Sequence, residues 1–245
     1  MSLSRIGATA ARVLSQLRRD PRTLVLLLVV PCVLILLVDQ LFAGREQVFQ
    51  SVGVPMLGLF PLISMFLVTS ITMLRERTTG TLERLLTTPL TKLELLLGYG
   101  IAFAAVAVVQ ATVVSFVGFG ILGLNSVHSQ LLIVLLAVAN AILGMAFGLF
   151  VSAFAQSEFQ AVQFMPAFVL PQILLCGLFV ARDQMADWLQ WISAVLPLTY
   201  AFNALDRAAH DQTLGPRFWA DVAVLVGATL LALVLGAATL RRRTP

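Results

Sequence analysis

The segment Arg75–Tyr99, RERTTGTLERLLTTPLTKLELLLGY, differs sharply from the apolar sequence on either side of it. It carries seven charged residues: Arg75, Glu76, Arg77, Glu83, Arg84, Lys92 and Glu94. Its leucines nevertheless keep helical spacing. Leu82, Leu85 and Leu86 fall at i, i+3 and i+4 and form one apolar stripe. Gly80 suits the position before the first turn, and Glu83 then lies where the helix dipole favours a carboxylate. Thr87-Thr88-Pro89 ends that helix, because proline cannot continue the hydrogen-bond ladder. Thr91-Lys92-Leu93-Glu94 has the form of a capping box, with Leu90 and Leu95 placed as a hydrophobic staple. The stretch predicts a short helix, a tight turn and a capped restart that runs on into the next apolar segment. Such a helix either floats on lipid headgroups or docks in a groove of a cytosolic partner.

Composition says what the charged stretch interrupts. Of 245 residues, 59% are hydrophobic and 11% charged, against about a quarter charged in an ordinary soluble domain. Lipid must therefore be the main solvent. Six segments reach the roughly 20 apolar residues that a helical span needs: residues 23–42, 52–74, 95–124, 131–155, 161–180 and 218–240. The expected fold is all-α and integral to the membrane. Residues 1–22 form an amphipathic helix, and residues 23–245 form a single six-helix domain. The third span is overlong and must tilt or begin in the interface.

Basic residues orient the spans. An even number of spans puts twelve Lys and Arg on the side of the termini and the charged stretch, and four on the other. Both termini are therefore expected in the cytoplasm. The net charge of +4 is read as this topology signal and not as a nucleic-acid surface, because the cations cluster at the ends of apolar runs. Ile6, Ala10, Val13, Leu14 and Leu17 share a helical face, which predicts a basic amphipathic helix on the inner membrane surface. The long stretch ahead of the first span does not read as a cleaved signal peptide. Pro21 marks the bend into that span.

Other features are quickly placed. Cys32 and Cys176 lie in different apolar runs and read as packing residues, without a disulfide. His128 and His210 sit in separate loops, so no metal site is expected. In the fourth span Asn140, Gly144, Gly148 and Ser152 recur every four residues, a seam read as packing within the chain in preference to dimerisation. In residues 181–217, Trp188, Trp191, Ile192 and Val195 share a face. They predict a helix dipping into the outer leaflet, a break at Pro197, and a second helix over about 198–209.

ERTTGTLERLLTTPLTKLELLLGY resembles the cytoplasmic segment of ABC-2-type permeases, the membrane subunits of ATP-driven exporters, drug-resistance exporters among them. Residues 157–207, SEFQAVQFMPAFVLPQILLCGLFVARDQMADWLQWISAVLPLTYAFNALDR, resemble that family's fifth span, external re-entrant segment and Pro-Leu-Thr-Tyr motif. Arg182 and Ala186 depart from it, standing where family prolines are expected. The resemblance implies a multi-pass protein of a prokaryotic plasma membrane that exports drugs or other amphipathic or lipid-like molecules. It implies a second permease, identical or homologous, and two copies of a separate ATPase that hold ATP and Mg. That ATPase would dock on Arg75, Glu76, Arg77, Gly80, Thr81, Leu82, Glu83, Arg84, Leu85 and Leu86, helped by the N-terminal helix and Glu158. Gln163, Phe164, Phe168, Gln172 and Ser64 would line the pathway. Trp188, Trp191, Pro197 and Tyr200 would form an external gate.

The energy source agrees with this reading. A phosphate-binding Walker loop ends in Gly-Lys-Ser/Thr. The one lysine, Lys92, stands between Thr91 and Leu93. Asp39 is the ionisable residue furthest inside a span, and about 1.5 Å per residue from Arg22 brings it near the outer surface. Neither an ATP site nor a proton relay is expected, nor an enzyme active site. An ion-coupled secondary carrier and an integral membrane enzyme are the alternative classes.

Overall fold

The computed structural model describes residues 2–81 and 91–239. In chain order its helices are α1 (Leu3–Arg18), α2 (Pro21–Leu41), α3 (Glu46–Thr78), α4 (Lys92–Phe116), α5 (Gln130–Val151), α6 (Glu158–Leu175), α7 (Asp187–Val195), α8 (Pro197–His210) and α9 (Pro216–Ala238). Five of them are long and apolar enough to cross a membrane: α2, α3, α4 with the turn that follows it, α5 and α9. The sixth expected span, α6, has 18 residues. At 1.5 Å per residue it is about 27 Å long, slightly less than a bilayer's hydrocarbon core.

The centre of the molecule is the crossing of α3 and α5. A Cβ on Gly144 would lie 2.1 Å from the Leu62 carbonyl oxygen, and one on Gly148 would lie 2.1 Å from Thr69 Oγ1. Backbone thus rests on backbone, an approach that only glycine permits. Thr69 Oγ1 donates to the Met65 carbonyl at 2.6 Å and also lies 3.3 Å from the Met145 carbonyl across the interface. Asn140 completes the row against Gly58. The small-residue seam is therefore used inside the chain, as its spacing suggested. Leu205 of α8 reaches the same Gly58, so α8 is wedged against the far end of this pair.

Several boundaries move from their expected places. The second span lengthens to 33 residues, because polar residues at both ends continue the helix beyond the apolar run. The third closes in a π-helical turn, Val117–Ile121, in which Leu122 N–H donates to the Val117 carbonyl at 3.0 Å. Gly118 there sits against the Leu57 side chain, whose end lies 2.7 Å from where a Cβ would be. The fifth was expected to run to residue 180. It stops at Leu175, because Gly177 adopts φ +107°, which a helix cannot contain.

The first span has few neighbours. Only Leu27, Pro31 and Ile35 of α2 are buried. Pro31 has no N–H, so the Leu27 carbonyl, four residues earlier, loses its helical partner. Gln110 of α4, itself fully buried, donates Nε2 to that carbonyl at 2.8 Å. A neighbouring helix thus satisfies the group that proline orphans, as an apolar solvent requires. We expect Gln110→Leu to cost about 1 kcal/mol, and Pro31→Ala to remove most of that penalty by restoring the helical partner. Thermal midpoints of the two single variants and the double variant in detergent check this. Equal penalties for Gln110→Leu with and without Pro31 would refute it.

Candidate functional site

The connections at the α1 end of the bundle are tied to one another. α1 buries Ile6, Thr9, Ala10, Val13 and Leu17. It lies on α4, where Gly98 permits close approach: a Cβ there would be 2.5 Å from Thr9 Cβ. The expectation of a helix resting on headgroups is corrected accordingly, because the apolar stripe finds protein. Leu14, expected on that stripe, is 38% exposed.

Arg12 projects from α1 into the bundle. Its Nη1 donates to Glu76 Oε1 at 3.2 Å, its Nη2 donates to the Tyr99 hydroxyl, and the guanidinium carbon lies 5.6 Å from the Tyr99 ring centroid. Gln16 Nε2 approaches the same Glu76 oxygen at 3.4 Å. Glu76 is 6% exposed and Tyr99 fully buried. Removing Arg12, whose side chain is 28% exposed, would strand the buried Glu76 carboxylate, so that loss is the costlier of the two. Glu76, expected on a docking surface, is instead turned inward and holds α1 against α3 and α4.

The restart at Thr91 has the expected cap. Glu94 N–H donates to Thr91 Oγ1 at 3.2 Å, and Thr91 N–H to Glu94 Oε2 at 2.9 Å. Glu94 Oε1 also accepts the Ser2 N–H at 2.7 Å, so one carboxylate starts α4 and anchors the approach to α1. Asp20 caps α2 similarly, accepting Thr23 N–H at 3.2 Å and Thr23 Oγ1–H at 2.6 Å. The Thr23 hydroxyl, then its amide, hold the Asp20 carboxyl below its ordinary value.

Arg75, at the exit of α3, grips Glu158, at the start of α6, through Nε at 2.7 Å and Nη2 at 3.1 Å. Both side chains are about half exposed. Such a pair contributes at most about 1 kcal/mol to stability. Its bidentate shape sets register more than it holds the fold. Gly80 takes φ +70° and turns the chain out of α3, with Thr81 beside it. Arg77 is half-buried. Leu82, Glu83, Arg84, Leu85, Leu86 and the staple residue Leu90 lie outside the described residues.

Of the expected pathway residues, Ser64 lines a cavity of about 600 Å³ bounded by α1, α2 and α3. The other four do not line it. Phe168 packs edge-on to Phe147 at 5.0 Å and stacks with Phe66 at 6.3 Å. Phe164 is half-buried and Gln163 exposed. Gln172 is buried with its amide engaged: Nε2 donates to the Phe168 carbonyl at 3.0 Å, and Oε1 lies 3.4 Å from the Leu198 N–H. That position joins α6 to the start of α8. At the opposite end of the bundle, α7 and α8 flank Pro197 as expected. Tyr200 closes the pair by donating its hydroxyl to the Ala194 carbonyl at 2.6 Å. Trp188 and Trp191 are exposed at 64% and 77%.

Residues 4–208 match the family model described as ABC-2 type transporter. The chain belongs to the ABC-2 type transporter family. The probable multidrug ABC transporter permease YbhR of Escherichia coli K12 is 30% identical over 145 residues, 59% of this chain and 39% of that protein. YbhS, similarly described and from the same organism, is 28% identical over 140 residues, 57% of this chain and 37% of its own length. ABC transporter G family member 20 of Dictyostelium discoideum is 25% identical over 138 residues, 56% of this chain and 19% of its own. The matches thus span well under half the length of these relatives.

Within this ABC-2 chain the two departures from the expected prolines have a local outcome. Arg182 begins a short 3₁₀ turn, Arg182–Gln184, and its Nη2 donates to the Gln190 carbonyl at 3.2 Å. Ala186 precedes α7 without a side-chain cap. Two further residues join helices. Gln110 stands out in the sequence only as an amide in mid-span, and the structure shows that it faces the turn broken by Pro31. Asp221, which accepts Arg207 Nε at 3.0 Å and joins α8 to α9, sits in the opening turns of the last span. We expect Gly98→Leu to detach α1 and leave the bundle folded. Hydrogen exchange over residues 3–18 should rise about tenfold or more while α5 is unchanged. Unaltered exchange in α1 would refute its dependence on Gly98.

Proposed function

We propose that this chain is the membrane subunit of an ABC exporter. It forms half of a substrate pathway and is driven by a separate cytosolic ATPase. The observation that carries this reading is the convergence of α1, α3, α4 and α6 on the residues that flank segment 82–90. α3 enters that segment, α4 leaves it through the Thr91–Glu94 cap, Arg12 binds α1 to both, and Arg75 binds α6. A force applied there reaches four helices at once. Membership of a transporter family supports the rest. The relatives described as probable multidrug permeases suggest drugs or other amphipathic molecules as cargo.

In this reading α6 also crosses the membrane, as the fifth of six spans, both termini face the cytoplasm of a prokaryotic cell, and the membrane is the plasma membrane. The ATPase, in two copies, docks on the helix carrying Leu82, Glu83, Leu85 and Leu86. ATP and Mg stay on that partner, and this chain does no covalent chemistry. A second permease, identical or homologous, completes the pathway, with Trp188, Trp191, Pro197 and Tyr200 at its outer end. ATP binding closes the ATPase pair, and the docking helix carries the motion into α3 and α4.

Two experiments test this. Glu83→Arg with Leu86→Asp should abolish co-purification of the ATPase while the chain still inserts, and retained binding would overturn the docking site. In vesicles with the ATPase, Arg75→Glu should lower cargo moved per ATP severalfold, since register and not stability is lost. The exchanged pair, Arg75→Glu with Glu158→Arg, should recover most of it. Transport that persists without the ATPase would overturn the exporter reading in favour of a self-contained carrier.

A further inference from the structure

The cavity between α1, α2 and α3 has a graded lining. Leu26, Leu27, Val30, Leu67, Val68 and Ile71 make its walls apolar. Asp20, Thr23, Arg75, Glu76 and Glu158 make one end polar. Its volume of about 600 Å³ falls in the range of sites that enclose drug-sized molecules. Val30 and Leu26 are 41% and 62% exposed, so the cavity opens along the flank of α2.

Among the described residues the charge at the polar end is unbalanced: three carboxylates line it, Asp20, Glu76 and Glu158, against one guanidinium, Arg75. Both donor positions described for Arg75 are spent on Glu158. Arg12 answers only one oxygen of Glu76. The other, Oε2, is buried and has no hydrogen-bond partner among the described residues. Even with Arg12 set against Glu76, the described lining keeps one more carboxylate than guanidinium. A lipid phosphate would meet carboxylates and an occupied guanidinium there. A cation would be attracted there, more strongly beside the buried Glu76 than beside the half-exposed Glu158.

From this lining we infer that the cavity is a binding site for a lipophilic cation: a drug-sized apolar body among the leucines and valines, with its positive charge toward Asp20, Glu76 and Glu158. The inference rests on the exporter reading for its role as cargo site, and on the cavity alone for binding. α3 contributes Ser64, Leu67, Val68, Ile71 and Thr72 to the wall and Arg75 and Glu76 to the rim, on one helical face. A molecule in the cavity therefore rests on the helix that leads into segment 82–90.

The test is binding to the full chain in lipid nanodiscs, with empty nanodiscs as blank. The probes are tetraphenylphosphonium, tetraphenylborate and neutral tetraphenylmethane, which share a shape and differ in charge. Saturable binding of the phosphonium, at least about tenfold tighter than the borate, is expected. Asp20→Asn keeps the helix cap and removes a charge. It should weaken the phosphonium severalfold and leave the neutral probe unchanged. Val30→Trp, at an exposed wall position, should block all three. Equal binding of the three probes by the wild-type chain, or phosphonium binding indifferent to Val30→Trp, would overturn the site. ATP-driven transport with no cation preference would sink this inference and spare the exporter reading. A cation site in a chain that no ATPase drives would do the reverse.

Discussion

In lipid the hydrophobic effect does not press helices together, so a bundle is held by how closely its backbones can approach. Here that approach is concentrated where Gly144 and Gly148 of α5 meet Leu62, Phe66 and Thr69 of α3. α3 is 33 residues long, about 50 Å at 1.5 Å per residue, and this contact fixes it at mid-length. Its two ends then reach the two functional ends of the molecule. Glu76 and Arg75 meet α1 and α6 at one end. Gly53 and Gly58 receive Leu124 and Leu205 at the other. A strut pinned at its centre by rigid packing moves as one piece, because packed cores deform little.

The joints around this strut differ in strength. Arg12 and Glu76 form a pair that is buried on the Glu76 side and 28% exposed on the Arg12 side, better shielded from water than the Arg75–Glu158 pair. Arg75 and Glu158 are half exposed and contribute at most about 1 kcal/mol. α1, α3 and α4 therefore behave as a unit, and α6 is the element that can shift against it. The same comparison explains α2. Apart from three buried residues it depends on the Gln110 bond to the carbonyl that Pro31 leaves free. α2 also forms the outer wall of the cavity, so the cavity's boundary is one of the lightly held helices.

Much of this was legible in the sequence wherever a residue's role is local. The Thr91–Glu94 cap, the break at Pro197 with helices on either side, and the packing use of the Asn140–Ser152 seam all depend on short-range geometry. What the pattern could not supply was the identity of the partner. A stripe of Ile6, Ala10, Val13 and Leu17 suits a headgroup surface or a protein groove equally well, and only Gly98 on a distant helix decides between them. Glu76 read as one more surface charge in a charged run, yet it lies one turn inward of Gly80 and faces Arg12. The fifth apolar run continued past Gly177, and hydropathy does not register the positive φ that ends α6 there. Gln172 looked like a pathway residue because an amide in a span needs a purpose. Its purpose here is to join α6 to α8.

The polar end of the cavity and the charged stretch share one helical face of α3, and this gives their proximity a mechanical sense. Ser64, Leu67, Val68, Ile71, Thr72, Arg75 and Glu76 follow one another at i, i+3 and i+4 steps. A rotation of α3 large enough to re-aim Arg75 toward or away from Glu158 must turn Leu67, Val68 and Ile71 by the same angle. Because the Gly144–Gly148 contact admits no slack, such a rotation is resisted at mid-length and is easiest as a tilt about it. A tilt of that kind widens the cavity at one end as it narrows it at the other. On this proposal the glycine contact links what binds beside α2 to what pulls on the segment after Thr81, along the one helical face of α3 that lines the cavity.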